Sequence, residues 1–279
     1  MAETETVLGA SSDGARRSSA AGEGDPVTRK LDDGVALLTM RLAPHNLLCA
    51  ELLAELEASL AWAMDQGARA VVLRSGLRHF CAGADLEVFR AAVDRGEVPD
   101  LPLVALLRAF DALPVPILAS VHGVCVGGGL ELALASDMIV AAETAKLGCV
   151  ESTIGLHPLM GAVQRITEHA GAARAKEMAM LGRRYDARTL ERWGVINWVV
   201  ADEQLEAVTM TLAHELAHGP TIAHAATKKL VSIAVSGGVW AADDAMAELQ
   251  VPIWRSDDLR TGLASFKASG PGMARFQGR

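Results

Sequence analysis

The sequence predicts an α/β fold with a helical C-terminal region. Apolar runs of strand length alternate with stretches of helical spacing over the first 200 residues, a pattern typical of parallel strands joined by helices. After Gly161 the spacing is almost wholly helical. Hydrophobic residues make up 51% of the 279-residue chain and aromatic residues only 4%, so we expect a large core of aliphatic side chains.

The predicted elements follow one another without a low-complexity linker. Short apolar runs, bounded in places by proline or glycine, indicate strands at residues 35–40, 70–73, 116–121, 137–141 and 196–200. Apolar residues at helical spacing follow the first strand, namely Leu53, Leu56, Leu60 and Met64. A loop at residues 79–85 precedes helical sequence that continues to about residue 111.

Charge and cysteine content exclude several classes of function. The chain has 26 Lys and Arg residues against 34 Asp and Glu residues, and the resulting charge of −8 repels a nucleic-acid backbone. The four cysteines are widely spaced and form no C-x-x-C pair, which favours reduced thiols and a cytoplasmic location. We therefore expect no nucleic-acid partner, and the absence of a long apolar span predicts no membrane segment.

We predict three segments along the chain. Residues 1–26 are rich in small and acidic residues and contain no apolar run of the signal-peptide kind, so we expect a disordered tail. Residues 27–200 form the predicted α/β core. Residues 201–279 form the predicted helical C-terminal region.

Two glycine-containing loops, Cys81–Asp85 and Gly127–Glu131, each follow a strand and lead into a helix. Such junctions expose unpaired backbone N–H groups at a helix N-terminus, where the peptide dipoles favour negative charge. Two junctions that face one point would make an oxyanion hole. Each loop by itself is also compatible with a simple tight connection.

These loops are similar to those of a known enzyme family. The stretch His79-Phe-Cys-Ala-Gly-Ala-Asp-Leu86 resembles the first oxyanion loop of the crotonase superfamily, the enoyl-CoA hydratases and isomerases, and residues 116–137 resemble the second. Residues 146–155 are similar to the segment that carries the family's second acidic residue. The resemblance implies the crotonase (ClpP-like) spiral of ββα units, with a C-terminal helical region that mediates trimerisation.

The resemblance also implies roles for individual residues. The N–H groups of Ala84 and Gly128 would bind a thioester oxygen, Glu151 would be the main acid/base group, and Glu131 would orient water. From the residues alone, Glu131 could serve only the helix dipole, and Glu151 could be an ordinary surface residue. Six further positions are expected to contact the substrate: Ala82, Gly83, Asp85, Leu86, Gly127 and Leu159.

The implied reaction is reversible hydration of a trans-2-enoyl-CoA, because the addition of water uses two groups for proton transfer and water positioning. Isomerisation of a 3-enoyl-CoA is the alternative within the family, and a non-catalytic acyl-CoA or partner-binding protein is the alternative outside catalysis. We expect no metal and no redox cofactor, since coenzyme A belongs to the substrate. A homotrimer or a hexamer is implied.

Two features depart from these expectations or compete with them. Many hydratases have a Pro-Gly-Ala-Gly-Gly-like stretch after the second acidic segment, whereas this chain has Pro158-Leu-Met-Gly-Ala162, which predicts extra bulk beside the acyl group. The sequence His214-Glu-Leu-Ala-His218 matches a zinc-protease motif. Helical spacing, however, predicts that both histidines face solvent or a neighbouring subunit. The predicted buried face of that helix consists of Leu205, Val208, Leu212 and Leu216.

Overall fold

A computed structural model describes residues 24–99 and 101–279 of the chain. The expectation of a disordered tail falls on residues 1–26, of which 1–23 lie outside the described residues. The strands are β1 (Val27–Asp32), β2 (Val35–Met40), β3 (Ala70–Ser75), β4 (Ile117–Val121), β5 (Val124–Val126), β6 (Met138–Ala142), β7 (Lys146–Gly148), β8 (Tyr185–Asp186) and β9 (Trp198–Val200).

The helices alternate with these strands as far as β9 and then follow one another to the C-terminal end. They are α1 (Ala50–Asp65), α2 (Leu86–Arg95), α3 (Leu103–Ala112), α4 (Gly128–Ala135), α5 (Ala162–Leu181), α6 (Ala187–Arg192), α7 (Leu205–Ala217), α8 (Thr221–Gly237), α9 (Val239–Leu249), α10 (Val251–Arg255) and α11 (Asp257–Ser269). Single turns of 3-10 helix lie at Glu151–Ile154 and Asp202–Gln204.

Six strands form the central sheet in the order β1-β2-β3-β4-β6-β9. Strand β1 is antiparallel to β2, and every other neighbouring pair in this sheet is parallel. The inner strands are apolar along most of their length because helices cover both faces of the sheet. Helix α1 packs beside β1 and β2, and α7 lies across β2, β3, β4 and β6.

The five predicted strands are confirmed as β2, β3, β4, β6 and β9, with bounds that differ by at most two residues. Strand β1 was not predicted, because Arg29 and Lys30 interrupt its apolar pattern. A local indication was present in Asp33-Gly34, which joins β1 to β2 with positive φ angles of 45° and 81°. Strands β5, β7 and β8 span three residues or fewer, too short for a periodic pattern.

The buried face of α7 was predicted incorrectly. The structure buries Leu205 as expected, but the other buried positions are Thr209, Ala213 and Ala217. They replace Val208, Leu212 and Leu216, which are only partly buried. The small side chains let the helix axis approach the sheet closely, and the larger ones pack at the edges of the contact.

The two histidines of the zinc-protease motif, His214 and His218, differ in their surroundings. His218 is exposed, as predicted, and lies 3.2 Å from the Asp33 carboxylate. His214 is partly buried within the chain itself, and its predicted contact with a neighbouring subunit stays a prediction. Within residues 24–99 and 101–279, no group of three or more His, Cys, Asp and Glu side chains could hold a metal ion.

The C-terminal helices pack largely on one another, and the chain end returns to the core. Helix α8 contacts α9 and α10, and α10 contacts α11. Arg69 Nη1 donates to the carbonyl of Phe276 at 2.9 Å, and the buried Asp258 carboxylate accepts from the N–H groups of Gln277 at 2.7 Å and Gly278 at 2.8 Å. No helix of the described segments is long and apolar enough to cross a bilayer. The predicted division into three segments stays a prediction.

Candidate active site

The first glycine loop, residues 79–85, is held by pairing on two sides. Cys81 pairs with Cys125 of β5, and Ala84 pairs with Leu48, both in parallel register. In the second pair, Leu48 donates to the carbonyl before Ala84 and accepts from the N–H after it, each at 2.9 Å. The N–H of Ala84 itself finds no acceptor in the described part of the chain, so it is available to a ligand.

The second glycine loop meets the first at Gly127. Gly127 has φ 55°, and its N–H donates to Gly148 at 3.0 Å. A Cβ on Gly127 would lie 3.6 Å from the Gly83 Cα, so the two loops are in contact. Gly128 follows as the first residue of α4, and its N–H cannot be bonded within the helix. A Cβ on Gly128 would lie 2.5 Å from Leu48 Cδ1, so a larger residue there would require the Leu48 side chain to move.

The Glu131 carboxylate is buried and fixed by two backbone donors. Only 3% of the residue is exposed, and Oε1 accepts from Met160 N at 2.7 Å and Ala162 N at 3.0 Å. Burial raises the pKa of Glu131 to about 7, and the charge of Glu151 acts in the same direction. The two N–H donors and the positive charge of Arg165 oppose this rise. Glu131 can therefore change its protonation state near neutral pH.

The Glu151 carboxylate lies directly over the second loop. Glu151 follows β7 and starts a single 3-10 turn, and its Oε1 would be 3.3 Å from a Cβ on Gly127. Its Oε2 is buried and has no hydrogen-bond partner among the described residues. Burial raises the pKa of Glu151, and its hydrogen bonds to backbone N–H groups oppose the shift. An unpartnered carboxylate oxygen is suited to accept a proton from a bound molecule.

All predicted site residues line one cavity of about 540 Å³. The structure brings together Ala82, Gly83, Ala84, Asp85, Leu86, Gly127, Gly128, Glu131, Glu151 and Leu159. The two unpaired N–H groups and the two carboxylates thus belong to a single site. The individual roles of these ten residues stay predictions.

The Pro158–Ala162 segment adds side-chain bulk to this cavity. Leu159, which is 38% exposed, and the buried Met160 both line the cavity. Met160 also contributes its backbone N–H to Glu131. The segment therefore both narrows the cavity and orients one of its carboxylates.

Several residues that line the cavity were not predicted. Phe89, Leu101 and Leu103 come from α2, the α2–α3 connection and the start of α3, and they make one wall apolar. Arg184 lies at the rim and is the only Lys or Arg among the described residues that line the cavity. Local spacing gives no indication of these positions, because they are brought in from separate elements.

Cys149 lies beside the two glutamates and could be mistaken for a nucleophile. Burial raises the pKa of its thiol to about 12, and the negative charges of Glu151 and Glu131 add to this effect. A thiol with so high a pKa stays protonated at neutral pH and is a poor nucleophile. The arrangement therefore favours acid/base chemistry by the carboxylates.

The family is decided by comparison with known proteins. The family model described as enoyl-CoA hydratase/isomerase matches residues 30–272. The chain belongs to this family. A solved enoyl-CoA hydratase from Bacillus anthracis has 28% sequence identity and a TM-score of 0.81, covering 91% of this chain and 100% of that structure. The α/β architecture is thus the crotonase fold of the superfamily.

Similar family members carry different reaction names. A Rhodobacter capsulatus protein named "Probable enoyl-CoA hydratase" is 34% identical over 90% of this chain and 97% of its own length. The 1,2-epoxyphenylacetyl-CoA isomerase of Escherichia coli is 34% identical over 73% of this chain and 80% of its own. These similarities support crotonase-type acyl-CoA chemistry and do not distinguish hydratase from isomerase.

Proposed function

We propose that this family member hydrates trans-2-enoyl-CoA thioesters to 3-hydroxyacyl-CoA. The observation that carries the proposal is the pair of carboxylates, the buried Glu131 and the half-buried Glu151, in one cavity with two backbone N–H groups that have no acceptor among the described residues. Hydration uses both parts of this arrangement. The N–H groups stabilise the charge that develops on the thioester oxygen, and the carboxylates manage the water and its protons.

The proposed reaction begins with the thioester oxygen accepting hydrogen bonds from the N–H groups of Ala84 and Gly128. Glu151 takes a proton from water while the water oxygen bonds to the β-carbon, and the electron pair of the double bond moves toward the thioester oxygen. Glu151 then delivers the proton to the α-carbon, which restores its carboxylate. Glu131, held by the N–H groups of Met160 and Ala162, orients the attacking water.

The residues that line the cavity support a coenzyme A thioester as substrate. The apolar wall that includes Leu101 and Leu103 suits an acyl group, and Arg184 at the rim suits a phosphate of the nucleotide. The proposal requires no metal and no redox cofactor, since the carboxylates and N–H groups supply each step. The absence of a nucleic-acid partner and a cytoplasmic location stay predictions.

A homotrimer or hexamer remains part of the proposal. Large apolar side chains are exposed along the C-terminal helices, including Trp240 at 82% and Trp254 at 67%. Exposed apolar side chains of this size favour association with another protein surface. Sedimentation equilibrium of the full chain tests the proposed assembly.

Isomerisation of 3-enoyl-CoA is the second candidate, because the matching family model is described as enoyl-CoA hydratase/isomerase. It requires mainly one base, which Glu151 could provide. A non-catalytic acyl-CoA or partner-binding role is the third. The buried, unpartnered Glu151 oxygen argues against that role, because leaving such an oxygen unbonded lowers stability without benefit to a simple binding site.

The first experiment measures the loss of conjugated thioester absorbance with crotonyl-CoA and longer 2-enoyl-CoAs. We expect Glu151→Gln and Glu131→Gln each to lower kcat about 100- to 10,000-fold. Glu57→Gln, an exposed glutamate on α1, is the matched control and should leave kcat unchanged. Formation of the same absorbance from 3-enoyl-CoA, without its loss from any 2-enoyl-CoA, would select isomerisation. Tight acyl-CoA binding without either reaction would select the non-catalytic role.

A further inference from the structure

The Glu131 carboxylate depends on the turn at residues 160–162 for its orientation. Both of its backbone donors, Met160 and Ala162, flank Gly161, which has φ 91°. A change in the φ or ψ angle of Gly161 would move the Ala162 donor relative to the Met160 donor. The geometry of this one glycine therefore controls the geometry of Glu131.

The side chain of Arg165 lies against that glycine. A Cβ on Gly161 would overlap Arg165 Nη1 and lie 3.6 Å from Cζ. The N–H of Arg165 also donates to the Gly161 carbonyl at 3.2 Å, in the first turn of α5. The Arg165 guanidinium therefore reaches back from the first turn of α5 and packs on the turn that leads into this helix.

The position of Arg165 is supported from a third element. Its Nη2 lies 3.7 Å from the Asp111 carboxylate near the end of α3, and only 18% of the Arg165 side chain is exposed. The charged groups that act on Glu131 are Glu151 and Arg165, of which Arg165 is the cation. Its charge favours the ionised form of Glu131, in opposition to burial.

We propose that Arg165 is a positioning residue for Glu131, which it serves by packing on Gly161 and by supplying the compensating positive charge. The expected effect of Arg165 on kcat rests on the proposed hydratase function. Its packing on Gly161 and its effect on the ionisation of Glu131 do not. Arg165 acts through the turn and need not touch the substrate.

The test compares Arg165→Met, Arg165→Lys and the matched control Arg108→Met, an exposed arginine on α3. Two readouts are needed: hydration kinetics, and the titration of the Glu131 carboxyl followed by NMR of carbon-13-labelled glutamate, assigned with Glu131→Gln. We expect Arg165→Met to lower kcat about 10- to 100-fold with little change in KM, because a displaced orienting group slows the reaction step. Its Glu131 midpoint should rise above the wild-type value.

Arg165→Lys separates the two contributions. It retains the charge, so the Glu131 midpoint should stay near that of the wild type, but it cannot fill the space over Gly161, so kcat should still fall. Wild-type kcat in Arg165→Lys together with a wild-type midpoint in Arg165→Met would overturn the proposal. If the wild type hydrates no 2-enoyl-CoA, the proposed function fails. A Glu131 titration midpoint that is raised in Arg165→Met and not in Arg108→Met would then still support the positioning role of Arg165. If Arg165→Met does not fold, a lowered kcat in Arg165→Lys supports the proposal and a wild-type kcat overturns it.

Discussion

Replacing Glu131 by Gln should stabilise the protein at alkaline pH while it removes activity. Burial raises the pKa of Glu131 from 4.5 to about 7 in the folded chain, a difference of about 2.5 pKa units. At 1.36 kcal/mol per unit, ionising this carboxyl in the folded state costs about 3 kcal/mol more than in the unfolded state. Glutamine has no such cost and can still accept from Met160 and Ala162.

The direction of this pH effect on stability depends on whether the folded or the unfolded chain loses the Glu131 proton first. As pH rises, the unfolded chain releases the Glu131 proton near pH 4.5, while the folded chain keeps it until about pH 7. The contribution of the protonated carboxyl to stability is therefore full below pH 4.5 and is lost as the pH rises through 7. The difference between Glu131→Gln and wild type should grow over this interval and level off near pH 8.

Urea unfolding at pH 4.5 and at pH 8.5, followed by circular dichroism at one protein concentration, measures the effect. We expect Glu131→Gln to gain about 2 to 3 kcal/mol relative to wild type between the two pH values. Glu57→Gln, at an exposed site, should show no comparable change. An equal stability difference at both pH values would refute the reasoning, because it would mean that Glu131 does not titrate differently in the folded chain.

Two further predictions concern the cavity rim and the chain end. Arg184→Ala should raise KM for an enoyl-CoA roughly fivefold, as expected for an exposed ion pair, and should leave KM for the matching enoyl-pantetheine unchanged. Arg183→Ala is the neighbouring control, and an equal effect on both thioesters would exclude a phosphate contact. Asp258→Asn should lower the unfolding free energy by about 1 to 3 kcal/mol, because Asn loses one acceptor for Gln277 and Gly278. Carboxypeptidase should then release the C-terminal residues faster, and wild-type rates would show that Asp258 does not anchor the tail.

The local chemistry of the site could be predicted from the sequence. An apolar run, a glycine triplet and Glu131 within the following turn indicate a strand, a tight junction and a carboxylate near exposed N–H groups. Each of these properties depends on residues that are close along the chain. The long parallel strands could be predicted for the same reason, since burial on both faces leaves an apolar run.

Packing between distant segments explains what was missed. Thr209, Ala213 and Ala217 lie on the buried face of α7 because small side chains let the helix approach the sheet closely, whereas hydrophobicity alone favoured the leucines. Strand β1 needed its partner β2 to compensate for a weak apolar pattern. Neither the buried face of α7 nor the pairing of β1 with β2 depends on a single stretch of residues.

The sequence by itself determined the fold class, the two glycine junctions and the presence of two glutamates, because periodicity and glycine conformations are local properties. Tertiary structure decided that the two junctions touch at Gly83 and Gly127, and that Arg184 reaches the cavity rim. It also decided that Arg165 packs over the turn that holds Glu131. The physical reason is that oxyanion geometry, carboxylate burial and charge compensation each depend on distances between atoms far apart along the chain, which only the packed core sets.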